Sequence, residues 1–143
     1  MDAATSQFVR QRAGNRCEYC RLPEEFSGLR FHIEHIIARQ HGGTDDTGNL
    51  ALACPECNLH KGTNLTRVDP DTGQVTPLFD PRRDLWDDHF RRIEANIVGK
   101  TAVGRTTAWL LELNTGGRLT LRQRLFHLGL PSELRSAGGQ GMR

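Results

Sequence analysis

Aromatic side chains are scarce in this chain, at 6% with a single tyrosine, and hydrophobic residues fill only 36% of its 143 positions. A core assembled from so little apolar material is small, and a metal or cross-link would help hold it. Long apolar runs are missing too: nothing approaches the roughly 18 consecutive apolar residues of a membrane span, and no apolar leader opens the chain. No internal repeat is visible. The composition reads as one soluble, cytoplasmic domain with no membrane partner. Cysteine is equally rare, but its four copies are not scattered.

They fall in two pairs, Cys17-Glu18-Tyr19-Cys20 and Cys54-Pro55-Glu56-Cys57, with no fifth cysteine left over. A C-x-x-C pair turns two thiolates toward one metal ion, and two such pairs complete a tetrahedral zinc site. In a reducing compartment disulfides are disfavoured, which leaves a redox pair or buried thiols as the alternatives. Four thiolates close the coordination sphere. A zinc ion held by Cys17, Cys20, Cys54 and Cys57 is therefore structural, with no open position for substrate.

The formal charge of +2 conceals an asymmetry. Residues 1–80 carry eight Lys/Arg against eleven Asp/Glu, net −3, and residues 81–143 carry eleven against six, net +5. If the chain meets a polyanion, arginines of the second part (Arg82, Arg83, Arg91, Arg92, Arg105, Arg118, Arg122 and Arg124) are the expected phosphate contacts. The plainer alternative is a solvated face, partly cancelled by Asp84, Asp87 and Asp88. Trp86 and Trp109 read as core anchors rather than as platforms for stacking bases.

Residues 5–16 suit a short helix ending at Gly14. A strand of about seven residues follows at Phe31–Ile37, then a Gly/Asp/Thr-rich loop, then the apolar run Asn49–Cys54. Pro55 stands at a plausible first helical position and Gly62 at its stop. The Pro/Asp/Gly-rich stretch before Pro81 suggests a hairpin or connector. A short helix or strand pair reaches to Gly99, a helix runs from about Val103 to Asn114, and a last helix carries Leu119, Leu121, Leu125 and Leu128 on or near one face. The final residues, Ser136–Arg143, are expected to fray.

Between the knuckles stand Glu34-His35, Gly42-Gly43, Asn49-Leu50, Cys57-Asn58 and Lys61-Gly62. Asn49 follows His35 by 14 positions and Asn58 follows Asn49 by 9. In this combination residues 17–63 resemble the HNH endonuclease family, in its zinc-knuckle branch and with Asn where many members carry a final His. The resemblance implies an α+β protein: a ββα-metal (His-Me finger) core stapled by the four-cysteine zinc site, with a mostly helical C-terminal extension. Residues 1–80 would be the nuclease core and residues 81–143 a basic extension packed on it.

What the resemblance implies chemically is a metal-dependent DNA endonuclease. Hydrolysing a phosphodiester needs an aimed water, charge neutralisation at the phosphate and stabilisation of the leaving 3′ oxygen. His35 would be the general base, because imidazole can accept a proton near neutral pH; alone, it would read as a buried histidine bonded to a carbonyl. Glu34 and Asn58 would bind a catalytic ion, Mg²⁺ or Mn²⁺, since both offer hard oxygens; their alternatives are a surface ion pair and a helix cap. Asn49 would pin the loop that presents His35. Lys61 would reach a phosphate, or else be solvated. Regular alternation separates Glu34 from His35, so the strand must end or bulge there for both to serve one site. His32, His41 and His60 are auxiliary candidates. A non-catalytic zinc module that binds DNA or protein is the rival reading, and a nuclease subunit directed by a targeting protein or a guide-RNA complex is a third.

Overall fold

Asp2 starts the first helix. In the computed structural model, which describes residues 1–130, its carboxylate accepts the Thr5 N–H at 2.7 Å and caps α1, Ala3–Arg12. The segment Ser136–Arg143 lies outside the described residues. α1 stops where Gly14 and Asn15 adopt positive φ, and the chain drops into the core, burying Cys17, Tyr19 and Cys20. One further turn, α2 at Glu24–Ser27, places Glu24 to pair with Arg10 at 2.6 Å and to accept the Phe31 N–H at 2.7 Å. That clasp aims the chain into the first strand.

β1, His32–His35, pairs antiparallel with β2, Leu50–Ala53, setting Glu34 opposite Ala51 and His35 opposite Leu50. β1 is shorter than the seven-residue strand its apolar pattern predicts. Ile36 and Ile37 turn their N–H groups to Asn49, one to its backbone oxygen at 2.8 Å and the other to its side-chain oxygen at 2.9 Å, so the strand ends at His35. β2 is buried at all four positions and delivers the second knuckle. There α3, Pro55–Lys61, begins with Pro55 in its first turn and Cys54 as N-cap, and Gly62 ends it at φ 53°. Two strands and this helix make the expected ββα unit.

A hairpin follows, β3 at Thr66–Val68 with β4 at Val75–Pro77. Its turn is organised by buried Asp69, which accepts from Arg105 at 2.9 Å, from the Asp71 N–H at 3.0 Å and from the Thr72 hydroxyl at 3.1 Å. After the short α4, Trp86–His89, come a second hairpin, β5 at Phe90–Ile93 with β6 at Asn96–Gly99, and then α5, Ala102–Leu110, and α6, Gly116–His127. Thr101 caps α5 through the Gly104 N–H at 3.0 Å.

One hydrophobic cluster draws on both ends of the chain, from Val9, Leu22, Phe31 and Leu52 to Phe79, Trp86, Phe90, Ile97, Leu111 and Leu125. With few aromatics available, the fold concentrates them: Tyr19 meets Phe79 edge-on at 6.3 Å, Phe79 meets Phe90 at 5.3 Å, and Trp86 meets Phe90 at 5.0 Å. The indole N–H of Trp86 donates to the Tyr19 carbonyl at 2.8 Å. Trp109 departs from its expected place in the core. It is 54% exposed and lies under the Arg67 guanidinium, 3.6 Å from the ring centre.

The leucine stripe expected on α6 is corrected as well. Its inward positions are Arg118, Arg122 and Leu125, with Leu121 partly buried and Leu128 65% exposed. Among the described residues no helix is long and apolar enough to cross a membrane.

Candidate active site and metal centre

The four cysteine sulfurs lie within 4.8 Å of one another, all buried and none in a disulfide. Cys20 Sγ and Cys54 Sγ are 3.8 Å apart. A tetrahedron with metal–sulfur bonds of about 2.3 Å has sulfur–sulfur edges of about 3.8 Å, so this donor set fits zinc. Within each knuckle the fourth residue's N–H points back at the first sulfur, Cys20 to Cys17 at 3.4 Å and Cys57 to Cys54 at 3.3 Å. Both knuckles are thus locked by backbone donors.

β1 and α3 also border an open cleft of about 340 Å³. Glu34, His35, Ala38, Arg39, Asn58 and Thr63 are among its lining residues. Glu34, His35 and Asn58 thus border one cleft, although β1 stays paired in regular register through His35 and the Glu34 carboxylate turns to the buried Tyr19 and Lys61.

Asn49 binds three points of the intervening loop. Its oxygen accepts the Ile37 N–H, and its amide donates to Ile37 O at 3.0 Å and to Thr44 O at 2.8 Å. Gly42 takes φ 93°, a left-handed turn that suits glycine. Gly43 is needed for a different reason: a Cβ there would sit 1.7 Å from Ile37 O, the carbonyl Asn49 holds. The loop next presents Asp45, whose Oδ1 lies 2.8 Å from His35 Nε2, while Arg39 contacts both its oxygens at 2.7 Å. The hydrogen bond from His35, with the neighbouring Arg39 charge, holds the Asp45 carboxyl below the usual range.

Glu34 is 5% exposed. The Tyr19 hydroxyl donates to its Oε2, and Lys61 Nζ lies 3.2 Å from Oε1. Burial pushes the Glu34 carboxyl above its ordinary value, against the pull of Lys61 and Tyr19. Lys61 corrects its expected role. It does not extend toward a phosphate: it is 3% exposed, and its ammonium also donates to His35 O at 3.4 Å and Ile36 O at 2.9 Å, closing the end of β1 from beneath.

Residues 17–64 match the family model described as HNH endonuclease. These residues are an HNH domain. The chain is also similar to Septu protein PtuB of Bacillus thuringiensis, 29% identical over 111 residues, in an alignment that covers 75% of this chain. It spans 40% of the length of that relative. No solved structure gives a significant match.

Around the HNH domain the auxiliary candidates separate. His32 and His41 are exposed, and His60 lies 3.7 Å from Glu112. The arginines proposed for DNA divide more sharply. Arg82 pairs with Glu18 and donates to Leu50 O at 3.3 Å, Arg105 is committed to Asp69 and Asp71, and Arg118 and Arg122 are buried. Arg83, Arg91, Arg92 and Arg124 stay on the surface.

Residue-type reading missed Tyr19 and Asp45, and it set among the phosphate contacts two residues that the structure buries, Arg118 and Arg122. A signal existed for the last two: they stand four apart beside Leu121 and Leu125, the helical spacing of an inward face. None pointed to Asp45, whose partner depends on the path of the loop.

Proposed function

We propose that the HNH domain is a metal-dependent DNA endonuclease in which His35 takes the proton from the attacking water. The observation that carries this reading is the His35–Asp45 contact at the edge of a cleft shared with Glu34 and Asn58. A carboxylate accepting at Nε2 favours the imidazole tautomer protonated there, which leaves the Nδ1 lone pair to receive a proton. Asn49 contributes through the loop: by holding Thr44 O it fixes the residue before Asp45, and Asp45 in turn orients the ring.

Glu34 and Asn58 are the residues that would hold a divalent ion, Mg²⁺ or Mn²⁺, since both border the cleft and both offer hard oxygens. When bound, such an ion supplies charge neutralisation at the scissile phosphate and stabilisation of the leaving oxygen. Glu34 already shares its charge with Lys61. The pair is formally neutral, so the phosphate itself supplies the negative charge that makes the cleft attractive to a dication. The buried Tyr19 hydroxyl fixes the carboxylate from behind.

Incubation of the purified protein with supercoiled plasmid and Mg²⁺ or Mn²⁺ tests the reading. Relaxed or linear product is expected from the wild type, and none from His35→Ala at unchanged DNA affinity. Turnover by His35→Ala at neutral pH would place the base elsewhere, while no cutting by the wild type with any divalent ion would favour the non-catalytic zinc module. A second reading of the setting is the domain as the cutting part of a larger assembly, targeted by another protein or a guide RNA; the Septu relative is the longer chain of the two.

A further inference from the structure

Arg122 is the largest fully buried side chain of the protein among the described residues, and it is a cation. Its Nε donates to Ala95 O at 2.9 Å, and its Nη2 to Leu113 O at 2.8 Å and Asn114 Oδ1 at 3.2 Å. Nη1 is buried without a hydrogen-bond partner. Every one of these partners is neutral, and among the described residues no carboxylate forms an ion pair with it. A guanidinium sealed from water with no opposite charge nearby is not a stable arrangement. Burial holds the Arg122 guanidinium below its ordinary range, and the Arg118 charge adds to that; the sulfurs of Cys20, Cys57 and Cys17 act in its favour.

One turn earlier on α6, Arg118 is 4% exposed and reaches the same cluster directly. Its Nη1 donates to Cys57 Sγ at 2.9 Å. Nη2 donates to Leu111 O at 2.7 Å and Glu112 O at 2.6 Å, and Nε lies 2.7 Å from Glu56 Oε1.

We propose that Arg118 and Arg122 are the counter-charges of the four-cysteine metal site, so that α6 belongs to the zinc centre and not to a nucleic-acid surface. Four thiolates around Zn²⁺ carry −2, against which the two guanidinium groups set +2 inside a core that cannot hold unpaired charge, while the part-exposed Glu56 carboxylate meets Arg118 at the rim. The N–H···S bond from Arg118 withdraws electron density from one ligand and weakens its tendency to take up a proton. A merely structural role is the competing explanation, since both arginines also cap the carbonyls that follow α5. The inference does not depend on the nuclease reading.

Zinc affinity of the full chain, measured by competition with a chromophoric chelator, separates the two. Arg118→Gln and Arg122→Gln keep hydrogen-bond donors and remove charge; each is expected to weaken zinc binding by about 10–100-fold. Arg122→Lys, which keeps the charge, should lie nearer the wild type than Arg122→Gln. Wild-type zinc affinity in both Gln variants, with only thermal stability reduced, would overturn the proposal in favour of capping. Should a Gln variant fail to fold, Arg118→Lys loaded with Co²⁺ gives a second reading. Loss of the bond to Cys57 should move the sulfur-to-cobalt charge-transfer band to longer wavelength, and an unshifted band would refute the Arg118 contact.

Discussion

Replacing Lys61 by methionine would take a charge out of the interior while leaving most of the side-chain volume. Lys61 and Glu34 are 3% and 4% exposed at their side chains, so solvent screening does little to weaken their pairing. The substitution strands the Glu34 carboxylate with Tyr19 alone and unpairs the ammonium's contacts at His35 O and Ile36 O. Breaking a buried pair from one side costs about 3–5 kcal/mol, which is the expected loss for Lys61→Met by urea denaturation of the zinc-saturated protein at neutral pH. Glu34→Gln combined with Lys61→Met removes both charges and should recover part of that loss.

The pH dependence has a definite sign. Burial already lifts the Glu34 carboxyl, and removing Lys61 takes away the main influence holding it down. The folded variant then binds that proton more tightly than the unfolded chain does. Its deficit relative to wild type is smallest at acid pH and grows as pH rises from the wild-type folded value, already above the ordinary glutamate range, toward the higher folded value of the variant. A loss under about 1 kcal/mol, the scale of an exposed pair, or a deficit that shrinks as pH rises, would refute the buried-pair account.

Gly43→Ala should cost about 1–3 kcal/mol or more through overpacking against Ile37 O and should depress plasmid cleavage. Gly48→Ala, whose added methyl meets nothing within 4 Å, is the control; equal stabilities for the two would show that the loop does not pack as described. Glu34→Ala is expected to raise the Mg²⁺ concentration needed for half-maximal cutting, and an unaltered metal dependence would remove Glu34 from the ion site.

The zinc knuckles and the ββα unit were legible because their signals are local. Cys17, Cys20, Cys54 and Cys57 announce themselves by spacing, and Pro55 and Gly62 bracket α3 by their own backbone preferences. Asn49 was also readable, since a loop-pinning amide needs only nearby backbone. Lys61 was misplaced because a lysine on a short helix is ordinarily solvated, and nothing local reveals that Glu34 waits beneath it. The same limit applies to α6. Arginine at a core position contradicts the hydrophobic pattern, and only the three-dimensional neighbourhood of the thiolates explains Arg118 and Arg122. Trp109 went the other way, an aromatic held at the surface by Arg67.

Tyr19 shows how far the working unit extends past its motif. Its hydroxyl steadies Glu34 at the cleft, its carbonyl receives the Trp86 indole, and its ring is covered by Phe79. A segment cut at residue 64 would retain all four cysteines together with Glu34, His35, Asn49 and Asn58, yet would strip the cover from the side chain that aims the carboxylate. For anyone building chimeras, the transplantable piece is set by the reach of Trp86 and Phe79, and the familiar string of letters is too short to travel alone.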